Sequence, residues 1–447
     1  MNRRRIGVLV LALLFGSITL QAQERKDLTL QNAINLSLKN SKQLKISSAK
    51  IEEATAALKE AVERRLPDAS FSGSYLRVNN PNVDLKVKMN NSGGGSNPGT
   101  ENKGNISQAM YGMGNVTVPL FTGFRIKYGI ESSRYLAEAA KLDADHDREA
   151  IMLNTIEAFN NLYKAKAAVN LVRENLQDAH QRVVDFSRLE KNGLMARNDL
   201  LKAELQESNT ELALLDAENN WKLANINMNL MLGLPENTEL VPNITNLNTT
   251  DNIKTVEEYV AHGLQNRKDL SALEYRKKAA EAGIKATKGE LYPNVALSGG
   301  YVDLHIPGFV TVTNAVNVGV GVKYSISSLW KTKSKVQQAE ARVRQLDASE
   351  DMLNDAIRLQ INQAYQNYLS SRKKIDVYSK AVAQAAENYK VIKNKYENGL
   401  ATATDLLDAD VAQLQAKLNQ AFAQSDAAVA YNKLLQAAGL LNNSTNQ

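Results

Sequence analysis

The chain contains no cysteine, so disulfides, thiolate metal sites and a lipid-accepting cysteine behind a leader are all excluded. Eight prolines and two tryptophans are spread over 447 residues. No proline falls between Phe124 and Asn192 or between Trp330 and Asn398, so nothing there interrupts a helix. No apolar run after residue 22 approaches the 18 or so residues a membrane-crossing helix needs. If the protein meets a membrane, it must do so through strands. Nor is there an excess of one charge. The formal net charge of +6 falls to +3 once Arg3, Arg4 and Arg5 are set aside, with acids and bases interspersed, which gives nucleic acid nothing to bind. His146, His180, His262 and His305 are scattered. The densest polar cluster, Asp143, Asp145, His146 and Asp147, would point in different directions on a helix and reads as a solvated face rather than a metal site. No enzyme activity, cofactor or metal is expected.

What is present begins with residues 1–22: three arginines, an apolar run from Ile6 to Leu20 and a small residue at Ala22, the pattern of a cleaved secretory signal. Beyond it the chain is written twice. Asn192-Gly193-Leu194, Asp199, Leu200, Leu201 and Ala203 reappear as Asn398-Gly399-Leu400, Asp405, Leu406, Leu407 and Ala409, and Gly233-Leu234 reappears as Gly439-Leu440. Upstream, Thr29, Asn40, Lys42, Pro67, Gly73 and Tyr75 correspond to Thr255, Asn266, Lys268, Pro293, Gly299 and Tyr301. The first copy is longer by about twenty residues between Tyr75 and Ile130, which places an insertion in a loop. The expected organisation is a first repeat over 23–234, a linker over 235–253, a second repeat over 254–440 and a disordered tail over 441–447.

Each copy combines two patterns. Period-two alternation marks strand hairpins over 68–121 and 294–326, clearest where Val316, Val318, Val320 and Val322 alternate with Asn317, Gly319 and Gly321. Between the strands of copy one, Asn90 to Gly99 is a glycine-rich flexible loop. Heptads then mark long helices. Ile361, Tyr368, Ile375, Val382, Tyr389 and Tyr396 share one seam position; in copy one Leu162, Val169, Val172, Leu176, Ala179, Val183 and Phe186 keep the same register. Asn192-Gly193 and Asn398-Gly399 end these helices. The returning helices start after turns at 192–199 and 398–405, with Asn198 or Asp199 and Thr404 or Asp405 as caps. Their seams are read as Leu201, Leu205, Leu212 and Leu215 in copy one and Leu407, Val411, Leu414, Leu418, Ala421, Ala428 and Leu435 in copy two.

Strands apolar on one face and small or polar on the other fit a membrane barrel, yet four strands cannot close and open edges are not tolerated in lipid. Several chains must therefore share one barrel. Three chains would supply twelve strands and leave a lumen. Asp405 and Asp408, three apart, lie on one helix face, so three copies would set six carboxylates in a ring favouring cations. Asp199 is read as a cap, with Asp408 the stronger pore candidate. The alternative is a non-conducting, secreted coiled-coil tether or adhesin.

The duplicated unit, the Val116-Thr117-Val118-Pro119-Leu120-Phe121-Thr122-Gly123 stretch and the Gly-Leu turns followed by Asp-Leu-Leu resemble the TolC family of outer-membrane efflux proteins over the whole chain after the leader. The resemblance implies a mostly α-helical fold with a small β-barrel: long antiparallel coiled-coil helices forming a periplasmic tunnel, and four strands per chain contributing to a trimeric 12-stranded membrane barrel. It implies an outer-membrane duct exporting small molecules or proteins in a tripartite efflux or type I secretion system. The partners would be two further copies, a periplasmic adaptor, an inner-membrane RND or ABC transporter and outer-membrane lipid. Carried onto this sequence, the constricting carboxylates are Asp405, Asp408 and Asp199, and the adaptor-binding tips are Gly193, Leu194, Gly399 and Leu400. The family's gating arginine has no counterpart, since Ala401 stands at its expected place. Copy two also departs at its strand exit, where Ser325 and Leu329 replace proline and glycine.

Overall fold

The sheet explains the alternation seen in the sequence. In this computed structural model, which describes residues 25–79, 107–243, 253–307 and 310–441, chain order is β1 (Arg25–Thr29), α1 (Leu30–Asn40), α2 (Lys42–Glu63), β2 (Asp68–Arg77), β3 (Gln108–Phe121), α3 (Arg125–Lys191) and α4 (Arg197–Leu232). Then come β4 (Glu239–Asn243), α5 (Val256–Asn266), α6 (Lys268–Lys288), a 3-10 turn, β5 (Asn294–Ile306), β6 (Val310–Lys323), α7 (Ser328–Glu397) and α8 (Ala403–Ala437). The leader and the whole glycine-rich loop lie outside the described residues. The chain folds into two compact units. One is built from the described residues within 1–49, 142–271 and 351–447, the other from those within 50–141 and 272–350.

In the second unit, β2, β3, β5 and β6 form one antiparallel sheet in that order, with β2 and β6 at the edges. Register places residues in rows across the strands. One face carries Ala69, Val116, Gly299 and Val318, and beside them Phe71, Gly114, Tyr301 and Val316; the other carries Ser70, Asn115, Gly300 and Asn317, and beside them Asp68, Thr117, Ser298 and Gly319. Val316, Val318, Val320 and Val322 are all exposed in the single chain. The sheet joins its helices at a close approach: Gly123 has φ +63° and its backbone lies directly against that of Gly289, leaving no room for a Cβ on either. Between α6 and α7, Lys277 Nζ sits 2.7 Å from Asp347 and 3.1 Å from Glu350, which raises the lysine pKa through those hydrogen bonds.

Among the described residues the first unit has three apolar centres. The largest gathers Ile34, Met152, Ile156, Tyr259, Ile361 and Tyr368 with Leu434 and Leu441. A second joins Leu28 and Leu240 to Phe159, Leu162, Met228 and Leu232. The third lies beside the helical turns and is described below. Ile361, Tyr368, Leu162 and Val169 are all buried, as a heptad seam requires.

Several expectations are corrected. Residues 239–243, read as part of an extended linker, form β4, which pairs in parallel with β1. Asn225 and Asn229 fix it: each Nδ2 donates to Thr238 O at 2.8 Å, and Leu240 N–H donates to Asn225 Oδ1 at 2.9 Å. Leu441, assigned to a disordered tail, is fully buried. Strand β6 stops at Lys323 rather than 326, and residues 326–327 form the turn into α7 instead. The α4 leucines do not form a seam within the chain. Leu201, Leu205, Leu212 and Leu215 are exposed, and α4 buries Leu200, Ala203, Thr210, Ala217, Met228 and Leu232 instead. Small residues on that side let the helices approach closely. In α8, Val411 is likewise exposed while Ala416, Ala423 and Ala427 are buried.

Candidate functional site

Four Gly-Leu pairs end helices in this chain, and they do so identically. Gly193, Gly233, Gly399 and Gly439 adopt φ values of +71°, +68°, +74° and +68°, left-handed conformations that glycine adopts without penalty. In each pair the leucine N–H reaches back five residues: Leu194 to Leu189 O at 2.9 Å, Leu234 to Asn229 O at 2.9 Å, Leu400 to Lys395 O at 2.7 Å, and Leu440 to Leu435 O at 2.8 Å. This cap ordinarily tucks its apolar residue against the helix it ends. Leu234 and Leu440 do so, packing on the apolar centres of the first unit. Leu194 and Leu400 do not, and stay 75% and 77% exposed. The same local structure thus packs its leucine against an apolar centre twice and presents it to solvent twice.

Beneath those turns, Phe186, Leu200, Ala203, Ala403 and Leu406 form the third apolar centre, flanked by Val183, Met195, Tyr389, Ile392 and Tyr396. It contains residues of all four helices α3, α4, α7 and α8, so it ties the two helical hairpins together. Phe186 and Tyr396 stack with ring centroids 5.5 Å apart. Burial, and then the charge of Asp199, raise the Tyr396 phenol above its ordinary pKa.

The three predicted carboxylates fall into different surroundings. Thr402, not Thr404 or Asp405, is the N-cap of α8, and Asp405 is the third helical residue of a capping box. Asp405 Oδ2 accepts from Thr402 N–H at 2.8 Å and from Thr402 Oγ1 at 2.7 Å; these bonds hold its carboxyl below the usual range. Asp408 is exposed one turn further along the same face. Asp199 caps nothing. Ala196 is the N-cap of α4 and offers no side-chain acceptor. Asp199 faces Lys202 at 3.6 Å, and Lys202 Nζ donates to Thr404 Oγ1 at 3.0 Å, a polar link from α4 to the start of α8.

Sequence reasoning missed the most deeply buried charges at this end of the unit. Arg182 Nη1 lies 3.0 Å from Asp410 Oδ2, with side-chain exposures of 8% and 5%. Asn175 Nδ2 donates to the same oxygen at 3.2 Å, and Arg182 Nη2 reaches Tyr389 Oη at 3.4 Å. Burial opposes the charge on Arg182, but the hydrogen bond to Asp410 and its charge more than offset this, and the guanidinium pKa is raised. The available signal was an arginine one residue from Val183 in an otherwise apolar seam.

Sheet edges unpaired among the described residues, a sheet apolar on one face and polar on the other at its helix end, and helical hairpins with exposed apolar tips are features of a membrane channel subunit. The sequence comparison places it further: the outer membrane efflux protein family matches over residues 33–234 and 261–440, and the chain belongs to that family. It is 22% identical over 435 residues to the outer membrane efflux protein BepC of Brucella suis, covering 96% of this chain and 89% of that one. It is 24% identical over 414 residues to the cation efflux system protein CusC of Escherichia coli K12, covering 87% and 84%. In fold it is similar to the CmeC outer membrane channel of Campylobacter jejuni, with a TM-score of 0.78, 16% identity and coverage of 95% and 91%. It is also similar to VceC of Vibrio cholerae, with a TM-score of 0.74, 20% identity and coverage of 92% and 96%. The protein is an outer-membrane efflux component, with its strands in the membrane, its helices in the periplasm, and the role of exit duct in a tripartite system.

Proposed function

We propose that three copies of this chain close a 12-stranded barrel and line one continuous export duct. The observation that carries this is the four-stranded sheet, with both edges unpaired among the described residues and one face apolar at the end joined to the helices. In lipid each edge must find a partner, and pairing β2 of one copy with β6 of the next satisfies every edge at once. Three chains are preferred because eight strands leave an interior that side chains fill, while twelve leave a passage.

A leucine stripe on α4 supports the same assembly. Leu201, Leu205, Leu212, Leu215, Leu223 and Leu230 are all exposed, and at 3.6 residues per turn they fall within an arc of roughly 80°. Met352, Leu359 and Val377 of α7 form a second exposed apolar line. Each is a natural seat for a helix of a neighbouring copy. Burying such stripes between copies removes from water the apolar surface that a lone chain would expose.

Within this duct Asp405 and Asp408 of three copies form the acidic constriction, with Asp199 acting from α4 through Lys202. Gly193, Leu194, Gly399 and Leu400 form the tips that dock a periplasmic adaptor, through which an inner-membrane RND or ABC transporter drives export. The exposed leucines, set against their packed, half-buried counterparts Leu234 and Leu440, support that docking. The test is the native mass of the protein extracted from outer membranes, together with its conductance in planar bilayers. A mass of three chains with cation-favouring conductance is expected. A non-conducting assembly would instead make this a coiled-coil tether.

A further inference from the structure

The two faces of the sheet exchange character partway along the strands. At the end joined to the helices, the face carrying Val118, Leu297 and Val320 is apolar and the face carrying Asp68, Thr117, Ser298 and Gly319 is polar. Beyond the row of Phe71, Gly114, Tyr301 and Val316, the first face continues as Gly73, Gly112 and Asp303, and then as Tyr75, Met110, His305 and Thr311. The opposite face continues as Ser72, Met113, Val302 and Ala315, then as Ser74, Tyr111, Leu304 and Val312. The β5–β6 register shift between Val302 and Leu304 adds one residue to β6 there and brings Val312 opposite Leu304. On the face carrying Ser70, neighbouring side chains lean together: a Cβ on Gly300 would meet Asn317 Oδ1 at 2.7 Å and Asn115 Oδ1 at 2.9 Å, whereas one on Gly114, on the other face, would meet nothing within 4 Å.

We infer that Tyr111, Met113, Val302, Leu304 and Val312 form an apolar collar inside the loop-side mouth of the barrel, a selectivity region separate from the acidic constriction. The inference rests on the trimeric barrel proposed above, because closure is what turns a sheet face into a lumen wall. The collar continues the polar lumen wall directly: a solute leaving the Ser70, Asn115 and Asn317 row meets fifteen apolar side chains from three copies. Hydrated ions gain nothing from such a ring, while a solute with an apolar body and a polar group gains contact on both sides of the boundary. The collar therefore favours amphiphilic solutes over compact polar ones of similar charge.

The absence of native cysteine makes the test direct. Single variants Leu304→Cys, Asn317→Cys and Val318→Cys are labelled with an environment-sensitive fluorophore in reconstituted trimers, then exposed to aqueous iodide or to brominated lipid. Val318 should be quenched by lipid, and Asn317 and Leu304 by iodide. In parallel, block of channel current by dodecyltrimethylammonium is compared with block by tetramethylammonium. M113S/L304S should weaken the long-chain block by roughly tenfold, since two apolar contacts are lost, and leave the short-chain effect unchanged. Lipid quenching at both 304 and 318, quenching at 304 by neither agent, or an unchanged long-chain block would each overturn the collar alone. Loss of lipid quenching at 318 would overturn the barrel and the collar with it.

Discussion

Arg182 on α3 and Asp410 on α8 form a buried ion pair, 3.0 Å apart, between helices of the two repeats. Asn175 shares the carboxylate and Tyr389 of α7 shares the guanidinium, so one charge pair fastens three helices just inside the turns. Removing either partner strands a charge away from water. Arg182→Ala and Asp410→Ala should each lower stability by about 3–5 kcal/mol, whereas Arg182→Met with Asp410→Leu should recover most of it. Thermal unfolding of the detergent-solubilised protein would decide. A double-variant loss equal to the sum of the two single losses would mean that the bridge is not a coupled unit.

The four Gly-Leu caps provide an internal control. Leu194→Asp with Leu400→Asp changes only exposed groups and should alter stability by no more than about 0.5 kcal/mol, while export in cells is abolished. Leu234→Asp and Leu440→Asp alter packed positions and should destabilise the fold. Export that survives the first pair would remove the docking assignment.

At the constriction, Asp408→Asn should reduce the preference for cations measured as reversal potential in a salt gradient. Asp405→Asn should reduce it too, and should also loosen the start of α8. Because Asp405 has a depressed pKa in the folded protein, its stabilising contribution is complete above the ordinary carboxylate pKa and is lost as pH falls through the folded value. Protection of the amides in the first turn of α8, taken relative to their intrinsic exchange rates at each pH, should therefore fall on acidification below the usual carboxylate range. In Asp405→Asn that pH dependence should flatten.

Gly123 and Gly289 back onto each other where the sheet meets its helices. Gly123→Ala combines an unfavourable positive φ with a backbone clash and should cost about 1–3 kcal/mol or more. Gly129→Ala, on α3 with open space around its Cα, should be neutral or slightly stabilising. The two melting curves measured side by side test this. Similar melting temperatures would show that the junction relaxes freely.

Much of this protein was legible in the chain itself, because its main signals are local and periodic. Alternation of Val316, Val318, Val320 and Val322 with small polar residues specifies a two-faced strand, heptads from Leu162 and Ile361 specify paired helices, and Gly193 and Gly399 specify where those helices end. Other features depended on partners distant in sequence. Nothing local distinguishes Leu234 from Leu194, since both follow a left-handed glycine; only the apolar centre that receives Leu234 does. Asp410 looks like a third acid after Asp405 and Asp408 until Arg182, 228 positions away, is set beside it. Thr402 became the cap because the chain geometry gave Asp405 the reciprocal place. Residues 239–243 became a strand because β1 and two asparagines were there to satisfy its backbone. Sequence alone determined the repeated units and their periods, which follow from backbone geometry. Tertiary structure decided which apolar residues were covered, which acids were neutralised and which were left facing outward, because burial and pairing belong to contacts between segments.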